Sequence, residues 1–160
     1  MRVASGHAEG EAMRIYLGSD HAGFELKEQV RGILEGFGHE VVDVGTSSED
    51  SVDYPDYAET VARAVAAGDA PFGVLICGTG IGMAMAANKV PGIRAVQASD
   101  PEMARMGRLH NNANILTLPG RYIDRDRAAE VLSTFLETPF EGGRHQRRVD
   151  KIGRIEQSSE

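Results

Sequence analysis

The sequence predicts an α/β fold, a five-stranded parallel sheet with helices on both faces that together form a three-layer α/β/α sandwich. Two observations predict it. Short apolar runs alternate with stretches of helical periodicity from residue 13 onward, the pattern of strand–helix–strand crossovers. The first three runs are each closed by a glycine, at Gly18, Gly45 and Gly78, as strands that end in tight turns are.

The elements follow in order. Residues 1–12 are rich in Gly, Ala and Glu and show no periodicity, so they read as a disordered lead, an alternative start or an expression remnant. A single domain with a C-terminal helix is expected over 13–160. Residues 14–17 form the first strand, and 23–36 a helix carrying Leu26, Val30, Ile33 and Leu34 at helical spacing, with Phe37 following. Residues 40–44 are the second strand, and the polar, acidic stretch 46–54 is a loop. Pro55 opens a helix that runs to about residue 67, since proline suits a first turn. Residues 73–77 are the third strand, a glycine-rich turn follows, and 83–88 are helical. Strands at 93–98 and 114–118 enclose a short helix from about residue 101. Ala128, Val131, Leu132, Phe135 and Leu136 mark the apolar face of a later helix. The final helix covers 145–155, with Val149, Ile152 and Ile155 in register.

Composition narrows the function classes. Hydrophobic content of 41% and charged content of 26% are ordinary for a soluble globular protein. A net charge of −7 argues against a general nucleic-acid or anionic-membrane binder. The single cysteine has no intrachain partner for a disulfide and fits a reducing cytosol. No apolar stretch approaches the roughly 20 residues of a membrane span, and the N-terminus lacks the apolar core of a signal peptide.

Parallel sheets bind ligands beyond the carboxyl ends of their strands. That rule selects Gly18-Ser19-Asp20-His21, the stretch from Cys77 to Gly82, Ser99-Asp100 and Pro119-Gly120-Arg121. Cys77 stands where an apolar strand meets the turn Gly78-Thr79-Gly80-Ile81-Gly82. Loop amides and a following helix favour an anion there, and a thiol so placed is expected to have a lowered pKa. Such a thiolate can take a proton beside a carbonyl while the amides hold the enolate. The plainer alternative is a small buried core residue. Gly78-x-Gly80 also suggests a dinucleotide fingerprint with Asp100 downstream, although Met83 occupies the place of its third glycine. Gly18 and Gly23 have the spacing of a phosphate loop, but Phe24 and Glu25 replace its Lys and Ser/Thr.

The C-terminal segment is the second unusual feature. Arg144, Arg147, Arg148, Lys151 and Arg154 crowd it, with Asp150 the only acid among them. Arg144 and Arg148 share a helix face, and two guanidinium forks suit a phosphate monoester. A solvated basic face is the alternative. His7 and His39 read as structural, His21 is open between site and loop, and His110-Asn111-Asn112 could be only a turn. No zinc-type or calcium-type ligand motif occurs in the sequence, so neither a metal nor another cofactor is expected.

Together, Gly18-Ser19-Asp20-His21-Ala22-Gly23, Asp53-Tyr54-Pro55-Asp56-Tyr57, Ile76-Cys77-Gly78-Thr79-Gly80-Ile81-Gly82, Ala87-Asn88-Lys89, His110-Asn111-Asn112-Ala113-Asn114 and Gly142-Gly143-Arg144-His145-Gln146-Arg147-Arg148 resemble the type B ribose-5-phosphate isomerases. That wider family includes galactose-6-phosphate isomerase subunits. The resemblance spans about residues 13–157. It implies a Rossmann-like fold, a sugar-phosphate substrate and interconversion of ribose 5-phosphate with ribulose 5-phosphate through an enediolate, in the non-oxidative pentose phosphate pathway. It also implies a cytoplasmic homodimer with the site between subunits, or a tetramer of paired dimers. Cys77 matches the proton-shuttling base. Some relatives have Ser there and a glutamate base four residues later, but here that position is Ile81, which takes no proton. Thr79 and the amides of Gly78, Gly80, Ile81 and Gly82 match the enediolate pocket, His110 the ring-opening group, and Asp20 its assistant. His21, Arg121, Arg144 and Arg148 match substrate and phosphate contacts, with the three arginines expected to converge on one dianion. Asn111 matches a hydroxyl contact and Tyr54 a wall of the site. Two alternatives stay open: isomerisation of a six-carbon sugar phosphate such as allose or galactose 6-phosphate, and a nucleotide-binding module without catalysis.

Overall fold

The computed structural model describes residues 11–158. The lead expected at 1–12 lies outside them except for its last two residues, and so does His7. Five strands, β1 (Arg14–Ser19), β2 (Glu40–Asp43), β3 (Phe72–Cys77), β4 (Ala95–Gln97) and β5 (Ile115–Pro119), form one sheet in the order β2-β1-β3-β5-β4. All neighbouring strands are parallel. β3 and β5 are buried along their whole length, the continuous apolar pattern of strands covered on both faces.

Six α-helices accompany the strands: α1 (Phe24–Gly36), α2 (Tyr54–Ala66), α3 (Ile81–Ala87), α4 (Pro101–Asn111), α5 (Arg125–Glu137) and α6 (Arg144–Ser158). Leu26, Val30, Ile33 and Leu34 of α1 join Val131, Leu132 and Phe135 of α5 and Ala104 of α4 on one face. Val61 and Val65 of α2 and Met83 of α3 cover the other. The sandwich therefore has the three layers that the alternation predicts. The main helix starts are set by local chemistry. Asp100 and Asp124 accept the backbone N–H of Met103 and Arg127 as N-caps, and Pro55 sits in the first turn of α2. His39 is structural, its Nδ1 accepting the Met13 N–H at 3.2 Å while burial lowers its pKa.

Some features differ from expectation. The first strand runs through Gly18 to Ser19, both paired with β3, so that glycine does not close it. The helix expected at 83–88 begins at Ile81, because Gly80, at φ 76°, completes the turn alone. The strand expected at 93–98 shrinks to the three half-buried residues of the edge strand β4. The apolar stripe of α6 is real, but only Val149 is buried, and Ile152 and Ile155 are exposed. That helix lies outside the sandwich and packs on α4. No helix among the described residues is long and apolar enough to cross a membrane.

Candidate active site

The strand order reverses between β1 and β3, and a crevice opens there beyond their carboxyl ends. It is lined by Asp20, His21, Ala22, Tyr54, Cys77, Gly78, Thr79, Ile81, Gly82, Met85 and Arg121, and encloses ≈ 540 Å³. Backbone contacts weld its floor. Gly120 N–H donates to Cys77 O at 2.8 Å and Arg121 N–H to Gly78 O at 3.0 Å, which continues the β3–β5 pairing beyond both strands. A Cβ on Gly23 would lie 2.5 Å from Ile76 O, so only glycine lets the turn after β1 approach β3 this closely.

Each side chain is held by its element. Asp20 is buried and caps the 3₁₀ turn at His21–Gly23, its Oδ1 accepting the Gly23 N–H at 3.0 Å. His21 Nδ1 accepts the Val52 N–H at 3.1 Å, which leaves its Nε2 free of that bond. Cys77 is 5% exposed and packs with the α2–α3 core, yet it lines the crevice floor, so both readings of this residue hold in part. Its Sγ accepts the Gly80 N–H at 3.2 Å. The buried Thr117 hydroxyl donates to Gly80 O at 2.7 Å and Gln97 Nε2 to Thr79 O at 2.9 Å, so β5 and β4 pin the loop from below. Thr79 Oγ1 accepts the Ile81 N–H at 3.2 Å. Two of the amides expected to hold an enediolate oxygen, those of Gly80 and Ile81, are thus already engaged. The Arg121 guanidinium lies across Gly78, and the Tyr54 ring lies against Gly82, where an added Cβ would meet Cζ at 2.6 Å.

His110, Asn111, Arg144 and Arg148 do not line this crevice. Connectivity explains their absence. Both α4 and α5 start beyond the carboxyl edge of the sheet and run back to its amino edge. His110 and Asn111 end α4, and α6 begins just after α5, so all four residues start from the opposite edge. The expected convergence of Arg121 with Arg144 and Arg148 therefore does not occur within one chain. At that edge His110 stacks on His145, with ring centroids 4.2 Å apart and planes 14° apart. Asn111 lines a separate cavity with Asn88, Ile93 and Ile152.

The sequence reading missed Arg108, which organises this second edge. Its buried guanidinium lies between Phe72 and Phe135 and donates to Thr138 O at 3.1 Å and Ala113 O at 2.6 Å. Burial, then the Arg94 charge, push its pKa down to about 10, so it stays charged at neutral pH. The only sequence signal was an arginine on the inner face of an amphipathic helix. His145 and Glu141 were also missed. Donor atoms of His110, Glu141 and His145 lie within 4.8 Å of one another. The two imidazoles are close to parallel, however, so their lone pairs do not converge as ligands of one ion must.

The ribose/galactose isomerase family model matches residues 15–152. Ribose-5-phosphate isomerase B of Escherichia coli K12 is 46% identical over 144 residues, 90% of this chain and 97% of that protein. The chain belongs to the ribose/galactose isomerase family. Solved structures of the family agree in fold. A ribose 5-phosphate isomerase of Thermotoga maritima superposes with a TM-score of 0.87 at 56% identity, covering 89% of this chain and 98% of that one. Ribose-5-phosphate isomerase B of Clostridium thermocellum gives 0.91 at 49%, covering 92% and 100%. The dinucleotide reading loses its footing beside the family, because Met83, in place of the third glycine, is fully buried in the core.

Proposed function

We propose that the chain interconverts ribose 5-phosphate and ribulose 5-phosphate in a site built from the crevice of one copy and the His110–Arg148 edge of a second. One observation carries this reading: the only thiol of the chain lies on the floor of the switch-point crevice, facing an amide donor, with no carboxylate at position 81 to replace it. His110 of the second copy opens the furanose. It moves the proton of the anomeric hydroxyl while the ring oxygen gains one, the C1–O4 bond breaks and the aldehyde forms. Cys77, as thiolate, takes the proton from C2. The electron pair forms the C1=C2 bond, and the charge moves to O1. The Thr79 hydroxyl and the amides of Gly78, Thr79 and Gly82 hold this oxyanion. Return of the proton to C1, with a proton passing from O2 to O1, gives the ketose. Only protons move, so no cofactor is called on. His21, Arg121, Arg144 and Arg148 hold the phosphate, which orients the reacting carbons. Asp20 supports ring opening with its second carboxylate oxygen, Asn111 contacts a sugar hydroxyl and Tyr54 closes one wall.

Exposed apolar side chains support a second copy. Tyr54, Ile81 and Met85 border the crevice and Ile152 and Ile155 lie on α6, all at least 39% exposed. A homodimer is the smallest assembly that completes the site, and the lone thiol suits a reducing cytoplasm.

Co-expression of Cys77→Ala and His110→Ala chains tests the shared site. Each variant alone is nearly inactive. Random pairing makes half the dimers mixed, each with one intact site, so about a quarter of the parent rate returns. No recovery would place both residues in one chain's site and overturn the arrangement. Ribose 5-phosphate assayed beside allose and galactose 6-phosphates decides the sugar.

A further inference from the structure

The edge that carries His110 contains a cluster that the proposed chemistry has not used. Glu141 follows α5, and its N–H donates to Leu109 O at 2.9 Å, which pins it to the residue before His110. Gly142 and Gly143, at φ 74° and 55°, then turn the chain into α6. This tight reversal brings His145, in the first turn of α6, against both Glu141 and His110. Glu141 Oε1 lies 3.0 Å from His145 Nε2 and 4.0 Å from His110 Nε2, so one carboxylate faces two imidazoles. His145 is 8% exposed, and its Nε2 has no hydrogen-bond partner despite the 3.0 Å approach of Glu141. Packing alone does not explain that nitrogen. A phenyl or isobutyl group would fill the same space without burying an unpartnered polar atom. A small rotation of the exposed Glu141 side chain would close the bond.

We propose that Glu141 and His145 are positioning residues for His110. The His145 ring sets the plane of the His110 imidazole by stacking, and the Glu141 carboxylate sets which way its Nε2 points. Neither residue need touch the sugar. The inference rests on the proposed role of His110 in ring opening.

The test uses two substrates that differ in needing that step. Ribose 5-phosphate is largely a closed furanose, whereas ribulose 5-phosphate, its C5 oxygen blocked, is an open chain. His145→Ala and Glu141→Gln are made in the full-length protein, with His110→Ala beside them. Turnover of ribose 5-phosphate should fall about 10–100-fold in kcat, the cost of misplacing a reacting group by around 1 Å, with KM little changed. Exchange of the ribulose 5-phosphate C1 hydrogen with deuterated water should keep the parent rate. His145→Phe, which keeps a ring to stack but no nitrogen, should recover part of the His145→Ala loss. Glu141→Gln lies off α6 and guards against a helix-wide effect of changing His145. No loss in either variant, or equal losses in both assays, would overturn the proposal. If His110→Ala is selective and its neighbours are not, only this inference fails. If His110→Ala is itself unselective, the ring-opening role fails and the inference goes with it.

Discussion

Replacing Cys77 by alanine separates the two descriptions of that residue most sharply. As a base, the thiol is worth about 10²–10⁴ in rate, which is roughly 2.7–5.4 kcal/mol of barrier height. As a core residue it is worth far less. The substitution removes one sulfur atom from the crevice floor and leaves the Gly80 amide, 3.2 Å away, without its acceptor. Because the crevice is open, water can take over that bond, so the stability cost should stay near 1 kcal/mol. Kinetics and thermal unfolding should therefore diverge: kcat falls by orders of magnitude while Tm moves by only a few degrees. Affinity for the sugar phosphate, measured by calorimetry, should barely change, since the thiol makes no phosphate contact. Ile81 supplies a second arm. It lines the crevice and is half exposed, so Ile81→Glu in the Cys77→Ala background would place a hydrated carboxylate over the same space and should restore part of kcat. A Cys77→Ala protein with near-parent kcat would refute the assignment and leave Cys77 as packing alone.

Other perturbations probe the remaining parts. His110→Ala should slow ribose 5-phosphate turnover far more than hydrogen exchange on ribulose 5-phosphate, and equal losses would assign it to binding or structure. Arg148→Ala should raise KM strongly and lower kcat, with partial rescue by Lys, which offers charge without the planar fork; inorganic phosphate should compete in the parent and much less in the variant. Unchanged KM and phosphate inhibition would return the arginines of α6 to a solvated face. Gly82→Ala should push the Tyr54 ring outward by about 1 Å, since a Cβ there meets Cζ at 2.6 Å, and kcat should drop up to about 100-fold with little loss of Tm. An unaffected rate would mean that Tyr54 forms no working wall.

Much of this architecture was legible because local and global signals coincide. Pro55, the Ala128–Leu136 stripe and the glycines Gly45 and Gly78 all fell where the chain turns or packs, whereas Gly18 lies within β1 and pairs with Leu75. The crevice members Asp20, His21, Cys77 and Arg121 were legible through one rule, the position after a parallel strand. Where the reading failed, contacts between distant segments decide the outcome. Gly82 looked like loop but is helical, and it is glycine because the Tyr54 ring packs where its side chain would be. Arg108 and Lys27 are buried charges whose partners, among them Thr138 O and Asp43, lie on other elements. The pairing of His110 with His145 depends on α4 and α5 both running back to the same sheet edge, which residue spacing alone does not reveal.

The welded floor of the crevice has a thermodynamic consequence. The segments bearing His21, Cys77 and Arg121 meet backbone to backbone, at Gly23 against Ile76 and Gly120 against Cys77. Their relative positions are settled during folding, so their ordering entropy is not charged to substrate capture. Ligand association by this floor should show a small heat-capacity change, with no component from local folding. Adaptation to longer or shorter sugars is then left to the rim, where Tyr54, Ile81 and Met85 project as side chains that can change without disturbing the strands beneath.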